Sequence, residues 1–464
     1  MKHIHFIGIC GVAMSALALA FKRHGHQVTG SDVGFYPPIS THLKTAGVNF
    51  YPGWHPEKMG TPDLVIVGNV AGSSNPEWQQ VQDKKIPYKS YPEVIRDFFI
   101  KPNSIVCAGT YGKSTSTALI TWILKEAGYD PSYMFGGLVL GDMPAAELTK
   151  SDWSIVEGDE YKASRWDKGP KFAYYAPTHL LLTSVVWDHA DVYPTEESYL
   201  QAFQELVDRL PKKSLVVVSE KALPRIRLSH AKQLRVVNYG QAPHNTYNYA
   251  NVLAQTNGLS FDIVCRNEIH RVQTKLLGEY MADNITGCFA LADQIGIKPE
   301  KILAAIASFP GFRRRLEKRF DGHVVVFDDI AHSPSKAEAV LNSLKKIYPD
   351  KKIFAVFEPN TGNRKTQARD WYADAFNAAD EVVIPELTKV KQAASDAPLM
   401  EGADLAALIS VTHTQTRYIP SDGELVEYLK TKTQPGDVVV FLGSHGFRGM
   451  IEELVAKFQS HDTA

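Results

Sequence analysis

Ser104-Ile-Val-Cys-Ala-Gly-Thr-Tyr-Gly-Lys-Ser-Thr115 is the stretch on which the reading of this chain turns. Ser104–Ala108 is a short apolar run of strand length. Gly109, Gly112 and Lys113 form a turn, after which Leu119, Ile120, Ile123, Leu124 and Ala127 mark one face of a helix. A strand, a glycine turn carrying lysine and a helix are the context that a phosphate-binding loop needs. Glycines let backbone N–H groups approach phosphate oxygens, and the helix N-terminus adds partial positive charge. Lys113 neutralises the β/γ region, and Ser114 offers a hydroxyl to Mg²⁺. The pattern is a shorter variant, Gly-Thr-x-Gly-Lys-Ser/Thr, because Cys107 stands where the longer pattern has glycine.

Metal-bound ATP needs ligands beyond those the nucleotide supplies. Glu157-Gly-Asp-Glu160 follows a strand at Ser154–Val156, and Asp188-His-Ala-Asp191 follows one at Leu180–Leu182. In a parallel sheet both stretches face the edge that carries the phosphate loop.

Working outward, residues 1–100 form a first block. The strand His3–Ile7 leads into Gly8-Ile-Cys-Gly-Val-Ala-Met-Ser15 and a helix with Val12, Ala16, Leu19 and Ala20 on its buried stripe. A strand near Gln27–Thr29 ends at Gly30-Ser-Asp32, and Leu64–Val67 ends at Gly68-Asn69. The first turn is not a full dinucleotide fingerprint, since Cys10 and Ala13 replace two glycines. A dehydrogenase would also leave the Mg-ATP apparatus unexplained, so a phosphorylated nucleotide other than NAD is expected here. Residues 101–311 form the second block, which also holds strands at Leu215–Val218 and Leu259–Val264 and a helix near Asp283–Gly296. Phe309-Pro-Gly-Phe312 is the expected hinge. Residues 312–464 repeat the alternation, with strands at Val324–Phe327, Ile353–Phe357, Glu381–Ile384 and Val438–Phe441. The expected class is therefore α/β, in three consecutive domains.

The 464 residues suit two to four domains. Fifty basic against fifty-one acidic residues give a net charge of −1, which argues against a general nucleic-acid binder. Four cysteines without Cys-x-x-Cys spacing argue against a disulfide framework or zinc site and fit a reducing compartment. Phe6–Phe21 imitates a signal peptide, but Gly8 and Gly11 interrupt it, and no other run is long enough to cross a bilayer. A cytoplasmic protein, free of membrane and nucleic acid, monomeric or weakly dimeric, is expected.

Taken in order, these motifs resemble the Mur ligases, the ATP-dependent amide-forming enzymes of bacterial cell-wall synthesis. The resemblance spans the whole chain. It rests on Gly8-x-x-Gly11-x-x-Met14, Gly30-Ser-Asp32, Gly109–Thr115, Glu157-x-Asp-Glu160, Asp188-His-x-Asp191, Arg314-Arg-Leu-Glu317 and Asp328-Asp-x-Ala-His-x-Pro334. It implies a Rossmann-like first domain for a UDP-sugar, a central P-loop ATPase-like domain and a Rossmann-like third domain for a peptide. It implies UDP-N-acetylmuramate as the acid substrate, with ATP and Mg²⁺. Gly30-Ser-Asp-x-x-x-Tyr36-Pro-Pro-x-Ser-Thr41, Val67-Gly-Asn69, Phe357-Glu-Pro359 and Gly443-Ser-His-Gly-Phe447 favour the branch that recycles L-alanyl-γ-D-glutamyl-meso-diaminopimelate. The L-alanine-adding branch is the alternative, and a catalytically silent nucleotide sensor is the alternative of another class.

Carried over by residue, the resemblance implies that Gly109, Thr110, Gly112, Lys113, Ser114 and Thr115 bind phosphates. Ser114, Glu157 and His189 would serve magnesium, and Asn284 would lie near adenine. Arg315, Asp329 and His332 would reach ATP from the third block, Arg315 towards the phosphates and Asp329 towards the ribose. Gly8, Gly11, Ser15, Ser31, Asp32 and Asn69 would line the UDP-sugar site. Lys113, Glu157, His189 and Arg315 are the expected catalytic set. Glu358, Asn360, Asn363 and Arg364 follow a strand where peptide recognition is expected, and a surface loop is the plain alternative. The chain departs from the family at Cys10, Tyr111, Ser184, Val186, Tyr280-Met281 and Ser333. Residues 192–206 contain no lysine, so the carbamylated-lysine metal bridge of some branches is not expected.

Overall fold

The computed structural model describes residues 1–35, 39–189, 192–228, 233–389 and 398–462. Tyr36, Pro37, Pro38 and Asp191, all part of quoted motifs, lie outside the described residues. Three sheets follow one another along the chain.

The first sheet contains β1 (His3–Ile7), β2 (Gln27–Asp32), β3 (Asn49–Pro52), β4 (Leu64–Val67) and β5 (Tyr88–Ser90). It is parallel throughout, in the order β3-β2-β1-β4-β5. Strand order reverses between β1 and β4, which opens a crevice beyond their carboxyl ends. Gly8–Gly11 enters that crevice from one side and Gly68-Asn69 from the other. Val65 and Val67 of β4 pack with Met59, Trp78 and Val81 in a buried apolar cluster, each large side chain worth about 1.5–3 kcal/mol of burial.

The second sheet comprises β6 (Asn103–Ala108), β7 (Ser132–Met134), β8 (Ala146–Glu147), β9 (Trp153–Gly158), β10 (His179–Leu182), β11 (Leu215–Ser219) and β12 (Arg235–Gly240). It is extended by β13 (Tyr247–Gln255), β14 (Gly258–Cys265) and β15 (Glu268–Thr274). The central β6 runs parallel to β10 on one side and β9 on the other. The carboxyl ends of all three therefore meet at one edge. The helix Lys113–Glu126 is buried along most of its length, as is the helix Tyr280–Ile295 that packs on it. Of the three strands that close this sheet, only β14 has a sequence signal.

The third sheet has β16 (Glu317–Asp321), β17 (Val325–Asp329), β18 (Ile353–Glu358), β19 (Glu381–Pro385), β20 (Thr416–Ile419) and β21 (Val438–Gly443). Its order is β16-β17-β21-β18-β19-β20, with only β16 antiparallel to its neighbour. Two compact units emerge from the packing. Met1–Val252, Ser260–Thr274 and Tyr280–Pro310 form the first, which includes the first sheet and most of the second. Leu253–Leu259, Lys275–Glu279 and Gly311–Ala464 form the second. Among the described residues, no helix is long and apolar enough to cross a membrane.

Candidate active site

The loop after β6 is clamped from one side by the segment after β10. Thr110 N donates to Ser184 O at 2.8 Å, Tyr111 N to Ser184 Oγ at 3.1 Å, and Thr183 Oγ1 to Tyr111 O at 2.6 Å. The Thr110 hydroxyl donates to Val186 O at 2.7 Å, accepts from Val186 N at 2.8 Å and lies 2.9 Å from the Tyr199 hydroxyl. Gly109 and Gly112 have φ of +135° and +82°. A Cβ at Gly109 would meet Thr183 Oγ1 at 2.2 Å and Ser184 backbone at 2.8 Å; one at Gly112 would meet Asn284 Oδ1 at 2.2 Å. Both glycines are thus required by close approach as well as by φ. Asn284, from the helix Tyr280–Ile295, is buried against the loop itself, and Thr115 is buried behind it. The first-turn N–H groups of the helix Lys113–Glu126 have no intrahelical partner, as at every helix start.

Lys113 turns its ammonium back over this loop. Its Nζ donates to Gly109 O at 2.7 Å, Thr110 O at 3.1 Å and Glu160 Oε1 at 3.0 Å. Burial works against its charge, but Glu160, Glu157 and Asp159 outweigh burial and raise its pKa. Glu157 lies within β9 rather than in a loop after it. Its Oε1 accepts from Ser114 Oγ at 2.9 Å and its Oε2 from Gly136 N at 2.7 Å. Burial raises its pKa, with Lys113 opposing. Asp159 is held by Lys171. His189 adopts a left-handed φ of +57°, and its Nε2 is 3.5 Å from Glu160 Oε1. Hydrogen bonding to Glu160 raises the His189 pKa.

The touching hydroxyl and carboxylate of Ser114 and Glu157 are hard oxygen donors, the type magnesium prefers. Two protein oxygens leave the remaining positions of an ion to phosphate and water, and no cluster of three or more His, Cys, Asp or Glu able to hold a metal occurs among the described residues. His189, the third expected ligand, is engaged with Glu160 instead, and imidazole suits softer metals than magnesium.

The first glycine turn has a different character. Gly8 N and Ile9 N both donate to Ser31 O, at 2.8 and 3.0 Å. Cys10 N and Val33 N donate to the Asp32 carboxylate, at 2.8 and 2.7 Å. Ser15 Oγ caps back on Val12 O at 3.0 Å. A Cβ at Gly8 would strike Val70 Cγ2 at 2.5 Å, and Gly11 has ordinary space. Burial and Asp32 together push the Cys10 thiol up to about 11.

Ser31 faces inward. It is fully buried, and its hydroxyl donates to Glu77, so that hydroxyl serves the interior and not the crevice. Glu77, itself fully buried, also accepts from Tyr51 OH and His55 N, both at 2.8 Å, and lies 3.7 Å from His5 Nε2. Burial pushes the Glu77 pKa up, but the bonds from His5, Ser31, His55 and Tyr51 bring it below its ordinary value. The sequence signal for this network was slight: an acid in a short helix whose stripe is otherwise Trp78 and Val81.

Asn69 is exposed at the crevice, and its carbonyl accepts from Arg165 Nε. The neighbouring Trp166 stacks on Trp78 with centroids 5.2 Å apart and 10° between planes. Residues 161–171 thus run from the acidic end of β9 to the crevice of the first sheet. The segment is stiffened by Ala163 N to Gly169 O at 2.8 Å and by Tyr174 OH to Asp167 Oδ2 at 2.6 Å.

In the second unit, Asp329 ends β17. Its carboxylate accepts from Leu316 N at 2.7 Å and Ala331 N at 2.8 Å, and burial raises its pKa to about 6. His332 Nδ1 lies 2.7 Å from Ile330 O. The arginine run divides its labour. Arg314 reaches Asp328 at 3.3 Å and the carbonyls of Gly443, Ser444 and His445, while Arg319 holds Asp328 and Glu452. Arg315 lies over the Phe312 ring at 5.6 Å. Glu358 and Arg364 are not surface-loop residues. Glu358 accepts from Thr388 N, and Arg364 ties Met400 O, Thr388 O and Glu401 together, both in the interior.

Comparison with known proteins covers the same ground. Residues 3–101 match the catalytic domain of the Mur ligase family, 107–292 the Mur ligase middle domain, and 314–445 the Mur ligase glutamate ligase domain. The chain is 30% identical over 459 residues to the UDP-N-acetylmuramate–L-alanyl-gamma-D-glutamyl-meso-2,6-diaminoheptandioate ligase of Escherichia coli K12, covering 97% of each chain. It is 28% identical over 470 residues to a UDP-N-acetylmuramate–L-alanine ligase of Rhodospirillum centenum, covering 98% of this chain and 94% of that one. The fold superimposes on the crystal structure of a UDP-N-acetylmuramate–alanine ligase from Thermotoga maritima with a TM-score of 0.81. That match has 23% identity and covers 99% of this chain and 100% of the other.

Proposed function

Since the chain belongs to the Mur ligase family of ATP-dependent, amide-forming ligases, we propose that it joins UDP-N-acetylmuramate to L-alanyl-γ-D-glutamyl-meso-diaminopimelate in peptidoglycan recycling. The proposed work is divided among residues 1–100 for the UDP-sugar, 101–311 for ATP and 312–464 for the peptide, in a cytoplasmic monomer or weak dimer. The single observation that carries this reading is the linkage within one compact unit. The segment 161–171 leaves the acidic end of β9, beside Lys113, and delivers Arg165 to Asn69 at the crevice of the first sheet. A phosphate donor and an acid acceptor bound at those two places have a short protein path between them.

A carboxylate resists amide formation because its oxide is a poor leaving group. In the proposed sequence the γ-phosphoryl group of ATP passes to the lactyl carboxylate. The free amine of the tripeptide then attacks the acyl phosphate, and the C–O bond breaks to release phosphate. The chain contributes positioning and charge. Lys113 and the helix N–H groups hold the β/γ-phosphates, and Asn284, packed against Gly112, is proposed to lie near the adenine. Ser114 and Glu157 would hold magnesium, which supplies charge neutralisation on the phosphates. Arg315, Asp329 and His332 are proposed to meet ATP from the third domain. Gly8, Gly11, Ser15, Asp32 and Asn69 are proposed to shape the UDP-sugar crevice, with Ser31 acting from behind it.

The choice of tripeptide over L-alanine draws on the Escherichia coli relative, which matches at 30% across nearly the full length of both chains. The test is ATP-dependent phosphate release with UDP-N-acetylmuramate plus tripeptide, and separately plus L-alanine. Release only with the tripeptide is expected. Release only with L-alanine overturns the recycling assignment, and release with neither makes the chain a nucleotide sensor.

A further inference from the structure

Glu160 is a buried carboxylate with no role in the ligation steps proposed for this chain. It is 1% exposed. Its Oε1 accepts from Lys113 and is approached by His189 Nε2 and the Tyr199 hydroxyl, both at 3.5 Å. Its Oε2 lies 3.0 Å from Lys113 Nζ yet has no hydrogen-bond partner. The Tyr193 hydroxyl pins its backbone carbonyl, so the residue is fixed at both ends.

An ammonium has three donors, and Lys113 has spent all of them: two on the loop carbonyls of Gly109 and Thr110, one on Glu160. A phosphate reaches Lys113 only when one donor is released. The two carbonyls belong to the loop that carries the lysine and move with it. Glu160 is the remaining partner, and it is an anion, as phosphate is. Left alone in the interior, its carboxylate would be costly, but His189 stands ready on the same oxygen.

We propose that Glu160 is a placeholder anion: it holds the Lys113 ammonium over the phosphate loop until nucleotide polyphosphate displaces it, and then turns to His189. Glu160 is therefore a positioning residue that acts through Lys113 and His189. The proposal rests on the phosphate-loop reading given above. It deepens that reading by making nucleotide entry an exchange of one anion for another. Removing the charge of Glu160 removes the competitor, while the alignment it gives to Lys113 and His189 is lost.

The experiment is isothermal titration of ADP into the full chain in the presence of EDTA, for the wild type and Glu160→Gln, alongside steady-state ligation kinetics with magnesium. The glutamine variant is expected to bind ADP on the order of five-fold tighter without divalent cation, while kcat falls on the order of ten-fold. Stronger binding with slower turnover is a split that general loosening of the fold does not produce. ADP binding unchanged or weaker in a folded Glu160→Gln overturns the proposal. Should that variant not fold, Glu160→Asp, whose shorter arm cannot span Lys113 and His189, carries the same test: a smaller gain in ADP affinity is expected, and none overturns it. A wild type that binds neither ADP nor ATP, with or without magnesium, instead defeats the phosphate-loop reading itself.

Discussion

Two strand–glycine–helix turns stand in one compact unit and use the same backbone device to different ends. The turn after β1 is held by the end of β2: the N–H groups of Gly8, Ile9 and Cys10 go to Ser31 and Asp32, and no lysine or arginine lies between Gly8 and Phe21. The turn after β6 is held in the same way by the segment after β10, and the difference lies in what surrounds it. Its N–H groups lean on Ser184, and Lys113 with Glu157, Asp159 and Glu160 fills the adjoining space with charge. A glycine turn on its own therefore specifies a shape, and the ionisable side chains around it decide what chemistry the shape serves. The first turn is bare of basic side chains, and the second carries a buried lysine among three carboxylates.

The comparison breaks most visibly at Lys113. Lys113→Ala is expected to lower kcat/KM for ATP by about 10³-fold or more, the scale of removing a charge that stabilises the transition state. Ser15→Ala, in the first turn, is expected to leave the ATP parameters unchanged. Steady-state kinetics with each substrate varied in turn checks both.

Glycine replacement sharpens the contrast. In Gly109→Ala the new methyl meets Ser184 backbone, which cannot step aside; in Gly8→Ala it meets one Val70 methyl. Gly109→Ala is expected to cost several kcal/mol and Gly8→Ala roughly 1–2 kcal/mol, mostly for the left-handed φ. Urea denaturation of the two variants measures the difference.

Acid titration separates the two regions next. The lowered pKa of Glu77 gives stability that is present above its ordinary value of 4.5 and is lost as pH falls through the folded-state value. Glu77→Gln is expected to destabilise by about 1–3 kcal/mol at neutral pH and to flatten this acid limb. A pH series of melting temperatures shows both. The second region responds at the other end. His189 has a raised pKa, so its contribution is present below its ordinary value of 6.5 and is lost as pH rises through the folded-state value. His189→Gln is expected to leave the acid limb intact and remove a small decline in melting temperature above pH 6.5 in metal-free protein. His189 is more than a third exposed, so this is the smallest effect.

Much of the scaffold was readable because it depends on local pattern. Apolar runs such as Leu64–Val67 and Val438–Phe441 are strands buried on both faces, and the periodic segment after Lys113 is a helix. The strand–turn–helix around Lys113 was readable because glycine, lysine and serine occupy consecutive chain positions between two periodic segments. What lay beyond the sequence depends on side chains far apart in the chain. The Glu77 network joins residues from four separate segments, Asn284 meets Gly112 across 172 positions, and Arg165 crosses 96 positions to Asn69. Ser31 and Asp32 are adjacent on β2, and strand alternation sends one inward to Glu77 and the other to the turn. Arg314 and Arg315 are neighbours too, but a left-handed φ of +57° at Arg314 separates a structural brace from the residue stacked on Phe312. No local motif distinguishes such neighbours.

The account depends on a phosphoryl group passing from the nucleotide at the second turn to an acid held at the first. UDP-N-acetylmuramate labelled with ¹⁸O in its lactyl carboxylate, turned over with ATP, magnesium and tripeptide, tests this through the mass of the released phosphate. The account predicts one ¹⁸O in each phosphate formed. Phosphate released without label, while amide product accumulates, contradicts it.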